Sequence, residues 1–157
     1  MAIEKVIEYF KEYGAEDKIK QFDVSSATVE LAAQALGCDG ALIAKTMSFL
    51  VDEKAVLIVT AGDMKIDNAK FKAFFHTKAK MLTAEQLDEL VGHAPGGVCP
   101  FAVKDGCVTY LDESLKRFET VYPAAGSSAS AVELTIPELE KYSRCLGWTD
   151  VCKPKEG

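Results

Sequence analysis

Ala41-Leu42-Ile43-Ala44-Lys45-Thr46-Met47-Ser48-Phe49-Leu50-Val51, then Asp52-Glu53-Lys54, then Ala55-Val56-Leu57-Ile58-Val59-Thr60-Ala61 is the run that decides the fold. The second apolar block is too short and too β-branched to favour a helix and predicts a buried strand. The three polar residues between the blocks predict a hairpin turn. Lys45 is the one charge inside the first block. Two readings of it stay open. Its stem can pack at an element boundary while the amine reaches water. Alternatively, the amine is held at a pocket floor and aimed at a negative or polarised oxygen.

Toward the N-terminus, Ile3, Val6, Ile7, Phe10 and Tyr13 recur at helical spacing and Gly14 follows as a stop. Residues 19–22 alternate as a short strand. Ser25 or Ser26 caps a helix that runs to Leu36 and closes at Gly37. Toward the C-terminus, Gly62-Asp63 ends the buried strand and Asp67 caps a helix carrying Phe71, Phe74 and Phe75. Thr83 opens a further helix to Leu90. Short strands follow at 108–111, 120–122 and 131–134, with Asp112 capping a single turn between the first two. Pro137 sits in the first turn of a last helix. Residues 123–130 are small and polar, which predicts a flexible loop, and the tail from Asp150 is expected to fray. Helices and strands interleave without regular βαβ alternation, so a doubly wound sheet is not expected. The economical architecture is a single α+β domain over residues 1–157, with a curled, barrel-like sheet surrounded by short helices.

With 157 residues, 48% hydrophobic and 27% charged, the chain suits one soluble globular domain. The N-terminus has neither the basic start nor the apolar block of a signal peptide, and no apolar run approaches a membrane span. A cytoplasmic protein without membrane partners is expected. A net charge of −6 argues against broad binding of duplex DNA or RNA, although a few converging lysines can still hold a nucleic-acid end. The five cysteines show no CxxC spacing, so zinc-ligand and thioredoxin patterns are missing and reduced, buried thiols are expected. His76 and His93 form no HxxxH or HxE arrangement, and no metal or other cofactor is expected.

Pro95-Gly96-Gly97-Val98-Cys99-Pro100-Phe101 belongs in neither a helix nor a central strand. It is an ordinary tight turn or a stiff loop whose Gly96 and Gly97 amides, bare of side chains, hold a carbonyl, oxyanion or phosphate oxygen. Cys99 as a nucleophile would need a neighbouring base or a helix N-terminus, neither visible in the sequence. His93, just before the loop, is a backbone-bonded loop histidine or a ligand contact. Ala125-Gly126-Ser127-Ser128-Ala129-Ser130 is a second small-residue loop, a turn or a place for close approach of a ligand. GxGxxG and P-loop spacings are missing.

Lys45 within Ile-Ala-Lys-Thr-Met-Ser-Phe, Gly62-Asp63 after an apolar strand, the 95–101 loop, and Ala124-Ala125-Gly126-Ser127 before Val132-Glu133-Leu134 occur in that order. Together they resemble the YbaK/EbsC family, free-standing relatives of the editing domain inserted in bacterial prolyl-tRNA synthetases. The resemblance implies a mixed α+β domain around a curled β-barrel and metal-free hydrolysis of wrongly charged aminoacyl-tRNA. It places the family's lysine at Lys45, its GxxxP loop at Gly96 to Pro100, and its second loop at Gly126-Ser127. Catalysis is then expected from Lys45, Gly96 and Gly97. Contacts to the aminoacyl-tRNA 3′ end are expected from Thr46, Asp63, His93, Val98, Cys99, Pro100, Gly126, Ser127 and Ser128. Cys99 departs from the serine more common there. No side-chain base is visible, so a water positioned by backbone groups and a ribose hydroxyl is the implied attacking group. Prolyl-tRNA synthetase is the implied partner. A non-catalytic module binding the same end of tRNA is the competing expectation, whereas cysteine spacing gives a thiol redox protein no support.

Overall fold

The computed structural model describes residues 2–155. In chain order Ala2–Lys11 forms α1, Ile19–Gln21 β1, Val29–Leu36 α2, Ile43–Val51 β2, Lys54–Ala61 β3 and Met64–Ile66 β4. Asn68–Phe75 forms α3, Ala84–Leu90 α4, Val108–Asp112 β5, Thr120–Pro123 β6, Ser130–Val132 β7 and Leu134–Thr135 β8. Ile136–Ser143 forms α5, Gly147–Thr149 β9 and Cys152–Pro154 β10. The result is a mixed α+β structure with a curled six-stranded half-barrel sheet, as expected. No helix among the described residues is long and apolar enough to cross a membrane.

The central hairpin is the longest pairing, with β2 antiparallel to β3 from Ala44↔Ala61 to Val51↔Lys54. The sheet order is β8-β6-β2-β3-β5-β9, in which β6 joins β2, β5 joins β3, and β9 joins β5 in parallel. Two separate antiparallel ribbons pair β1 with β7 and β4 with β10.

Side chains alternate across a strand, so the register sorts the hairpin into two faces. Ala44, Val59 and Ala61 pack with Val6 and Phe10 of α1, Phe101 and Leu139 of α5. Phe49, Val56 and Ile58 on the other face pack with Phe71 of α3 and Val151. Lys45 and Thr46, being adjacent, point to opposite faces.

Helix starts follow local chemistry. Asp67 accepts from Ala69 and Lys70 N–H groups, while Thr83 with Gln86 and Thr135 with Glu138 form capping boxes. The cap of α2 is Thr28, whose hydroxyl accepts from Leu31 N at 3.2 Å, rather than Ser25 or Ser26. Ser26 is held earlier, in extended chain, by its amide's 2.6 Å bond to the Ser128 carbonyl. The tail is also corrected: it is not frayed at its start. Val151 and Cys152 are 0% and 2% exposed, and β10 pairs with β4. Two apolar residues anchor a segment whose average polarity predicts fraying.

The outer edge of β2 is covered unevenly. Ile43 and Ala44 are covered by β6, and Ser48 to Leu50 by residues 80–82 through the Leu50–Lys80 and Leu82–Ser48 backbone bonds. Residues 45–47 between them have no strand neighbour on that side among the described residues.

Candidate active site

A cavity of about 140 Å³ opens at this uncovered stretch. Its walls come from Ser26 to Val29 at the start of α2, Ile43 to Thr46 of β2, Gly96 and Val98, Tyr122 and Ala124, and Ser130. A cavity of about 150 Å³ can hold a benzene-sized group, so the space suits one amino-acid side chain rather than a whole nucleotide.

The two small-residue loops form the floor by pressing on each other. A Cβ built on Gly97 would lie 2.7 Å from Ser127 N, 2.8 Å from Ser127 Cα and 2.9 Å from Gly126 C. These are backbone atoms, so no side chain fits there. Gly96 has φ +89°, in the left-handed region glycine favours. Residues 123–130 are not the flexible loop expected. The Ser130 hydroxyl accepts from Ala125 and Ser127 N–H groups at 3.3 Å each and donates to the Ser127 carbonyl at 3.2 Å. The Ser26 hydroxyl in turn donates to the Ser130 carbonyl at 3.3 Å. A small loop with its polar groups satisfied internally is fixed by its own bonds.

The amides of the first loop divide differently from expectation. Gly97 N–H donates to the Ala94 carbonyl at 3.1 Å, and Gly97 is buried and outside the cavity lining. It is therefore not the free donor predicted for it. Gly96 N–H and Val98 N–H have no partner among the described residues, and both residues line the cavity. The pair of open donors is Gly96 and Val98.

Lys45 lines the cavity, but its ammonium donates to the Met64 carbonyl of β4, outside that lining. Burial, and secondarily the charge of Lys155, pull its pKa below the ordinary lysine value. Thr46 lines the same wall, and its hydroxyl is buried without a hydrogen-bond partner. An unsatisfied buried hydroxyl costs about 1–3 kcal/mol, which is a reason to look for its partner in a ligand.

Other expected contacts lie elsewhere. Asp63 is held by Arg117 in a two-pronged ion pair at 2.6 and 3.0 Å, which draws its carboxyl below the ordinary range. His93 is 1% exposed and donates from Nε2 to the Phe101 carbonyl at 2.8 Å. Cys99 is 0% exposed, with Sγ 3.5 Å from that imidazole. The nitrogen facing the thiol is the one that donates to Phe101, so it is no base for Cys99. Burial also pushes the thiol to about 12 and the imidazole below its ordinary value, so both rest neutral and enclosed. Pro100 is buried and lines a different depression, beside Tyr9 and Arg144. Gly126, Ser127 and Ser128 support the floor without lining the cavity.

The structure thus brings Lys45, Thr46, Gly96 and Val98 to one cavity and leaves Asp63, His93, Cys99 and Pro100 out of it. Sequence reasoning missed Ser26 to Val29, Tyr122, Ala124 and Ser130. Residues 26–28 carried a signal only for helix capping, and nothing in their spacing ties them to a loop seventy positions on.

Comparisons with known proteins bear on the family and the fold. Residues 23–142 match the family model of the aminoacyl-tRNA editing domain. The uncharacterised protein YwhH of Bacillus subtilis (strain 168) is 46% identical over 157 residues, covering 99% of this chain and all of that one. The proline–tRNA ligase of the same organism is 24% identical over 140 residues, which is 88% of this chain but 23% of the ligase. A solved structure described as a candidate trans-editing enzyme for prolyl-tRNA synthetase superposes with a TM-score of 0.87 at 26% identity, covering 97% of both chains. With the family model matched across most of its length, the chain belongs to the aminoacyl-tRNA editing domain family.

Proposed function

We propose that this protein hydrolyses the ester joining a small amino acid to the 3′ end of a transfer RNA, acting in trans on tRNA-Pro. The observation that carries the proposal is the pair of unpartnered amides, Gly96 and Val98, on the same cavity as Lys45 and Thr46. An aminoacyl ester is already activated, so modest assistance suffices. The ester carbonyl sits against the two amides, which stabilise the oxyanion as water adds. Removing one such donor typically costs about 2.7–4 kcal/mol of transition-state stabilisation. Lys45 leaves a neutral carbonyl for a phosphate or ribose oxygen of the terminal nucleotide, and a charged acceptor roughly doubles the strength of the bond. Among the described residues the cavity lining holds no Asp, Glu or His, so the attacking water is oriented by backbone groups and a free ribose hydroxyl. The confined volume admits a small side chain, although each methylene separates small apolar substrates by only about 1–3 kcal/mol. Prolyl-tRNA synthetase supplies additional affinity, and the work is done in the cytoplasm.

The same lack of a side-chain base favours a second reading, a module that binds the aminoacyl end without cleaving it. Deacylation of a panel of mischarged tRNAs separates the two. Wild type is expected to release a small amino acid. Lys45→Ala is expected to lower kcat/KM by roughly 10–100-fold, the worth of a charged hydrogen bond of about 1.5–3 kcal/mol. Replacing the terminal adenosine by its 2′-deoxy form is expected to abolish turnover. Release from no member of the panel, with binding retained, would establish the binding module.

A further inference from the structure

The β4–β10 ribbon presents one face to the core and one to solvent. Cys152 and Ile66, paired with each other, pack inward with Phe49 and Phe71. On the outward face Lys65 stands directly opposite Lys153, and both are exposed. Lys155 follows two residues on, just past the end of β10, and is exposed, with its amide bonded to the Asp63 carbonyl at 3.0 Å. Like charges directly opposite on an antiparallel pair destabilise it. A chain with net charge −6 has carboxylates in excess to relieve this, yet none pairs with Lys65, Lys153 or Lys155 among the described residues. The carboxylates nearby are bonded elsewhere, Asp63 to Arg117, Asp150 to Lys70 and Asp67 as the cap of α3, although Asp63 also feels the charge of Lys155 and Asp67 that of Lys153. Lys45 joins this cluster from the cavity side, because its ammonium rests on the carbonyl of Met64, the residue paired with Pro154. The unpaired positive charge therefore continues outward from the cavity wall along one ribbon. That ribbon's second strand lies beyond the family match, which ends at residue 142.

We propose that the outward face of this ribbon, Lys65, Lys153 and Lys155, is a phosphate-binding strip that holds the backbone of the RNA strand leading to the 3′ end seated in the cavity. This rests on the deacylase reading for which end enters the cavity. The strip itself is a separate claim about phosphates. Lysine suits it, since the requirement is a point charge on a mobile stem rather than a fixed fork. The strip also accounts for how an acidic protein holds RNA: it neutralises a few phosphates beside the site rather than a long duplex.

The test is binding of an uncharged RNA stem-loop ending in four unpaired nucleotides, titrated with salt between 25 and 200 mM. Each phosphate contact contributes about 0.7–0.9 to the slope of log affinity against log salt. Lys65→Gln/Lys153→Gln is expected to lower the slope magnitude by about 1.4–1.8, twice the single-contact value. Lys54→Gln, at the far end of the central hairpin, is expected to leave it unchanged. For charged tRNA the double variant raises KM with kcat retained, and hydrolysis of an aminoacyl ester of adenosine, which has no phosphate, stays at the wild-type rate. An unchanged salt slope in the double variant, or no RNA binding by wild type at low salt, overturns the strip. If wild type cleaves neither ester, the deacylase reading fails while the salt slopes still decide this one.

Discussion

Replacing Gly97 by alanine tests whether the site is set by one loop pressing on another. The added methyl would sit 2.7 Å from Ser127 N, and ordinary contact begins at 3.4 Å, so the two loops must part by about 0.7 Å. Neither can yield cheaply, since the Ser130 hydroxyl ties residues 125 and 127 together and the Gly97 amide is itself bonded to Ala94. Overpacking of this kind costs about 1–3 kcal/mol, which for a chain of this length lowers Tm by roughly 2–12 °C. Gly96 and Val98 flank the displaced residue, so their amides move with it. A 1 Å misplacement can cost about 100-fold in rate, and 0.7 Å is expected to lower kcat by roughly 10–100-fold. Thermal melts and single-turnover deacylation measure the two effects. Gly106→Ala is the control: φ is +90° there but no atom lies within 4 Å of the added methyl, so it strains the backbone without moving either loop. A Gly97→Ala protein with wild-type Tm would refute the packing argument, and one with lowered Tm but wild-type kcat would refute the link from packing to chemistry.

Thr46→Val removes a buried hydroxyl that has no protein partner, so Tm should hold or rise, while kcat/KM falls by about 2–10-fold if that hydroxyl bonds the substrate. A lowered Tm with unchanged kinetics would show the hydroxyl to be structural. Asp63→Asn breaks an ion pair whose side chains are 45% and 43% exposed, so the loss at pH 7 is at most about 1 kcal/mol, or 2–4 °C in Tm. Because Arg117 lowers the carboxyl's pKa, the pair's contribution is full above the ordinary value of 3.8 and fades as pH falls through the depressed one. Melting curves of the two proteins should therefore converge in acid; a constant gap would exclude the ion pair as its cause.

The central hairpin was legible because apolar, β-branched runs and a polar turn leave few alternatives. The helices were legible from their caps, Asp67 and Thr83 among them. The glycines at 96 and 97 were legible as a loop, but not their division of labour. Gly97 is glycine because loop 126–127 occupies the space a side chain would need, and the same turn consumes its amide. That fact exists only after residues thirty apart have met. Lys45 was placed on its strand, but its rest position depends on β4, three residues long and without a pattern of its own. Cys99 within the 95–101 loop and His93 just before it were both open as ligand contacts. Burial separates them from the amides, because the chain turns inward after Val98 to deliver Phe101 to the core.

A cavity whose two open donors are backbone amides has a consequence for how the proposed chemistry can be altered. On the proposed reading, side chains that hold the loops govern the ester through position. Ser130 holds its loop with three bonds, that loop fixes the distance to Gly97, and Gly97 carries the two open amides on either side. Such an arrangement can change amino-acid preference by exchanging the small residues around the cavity mouth, Ala27, Ala124 or Val29, while the donors stay in place. On the proposed reading chemistry and selectivity are thus separable: the first belongs to the clamp between two glycine loops, the second to side chains from α2 and the segment after β6. A site built on an activated side-chain base would lack that freedom, since repacking its pocket would also shift the pKa on which the base depends.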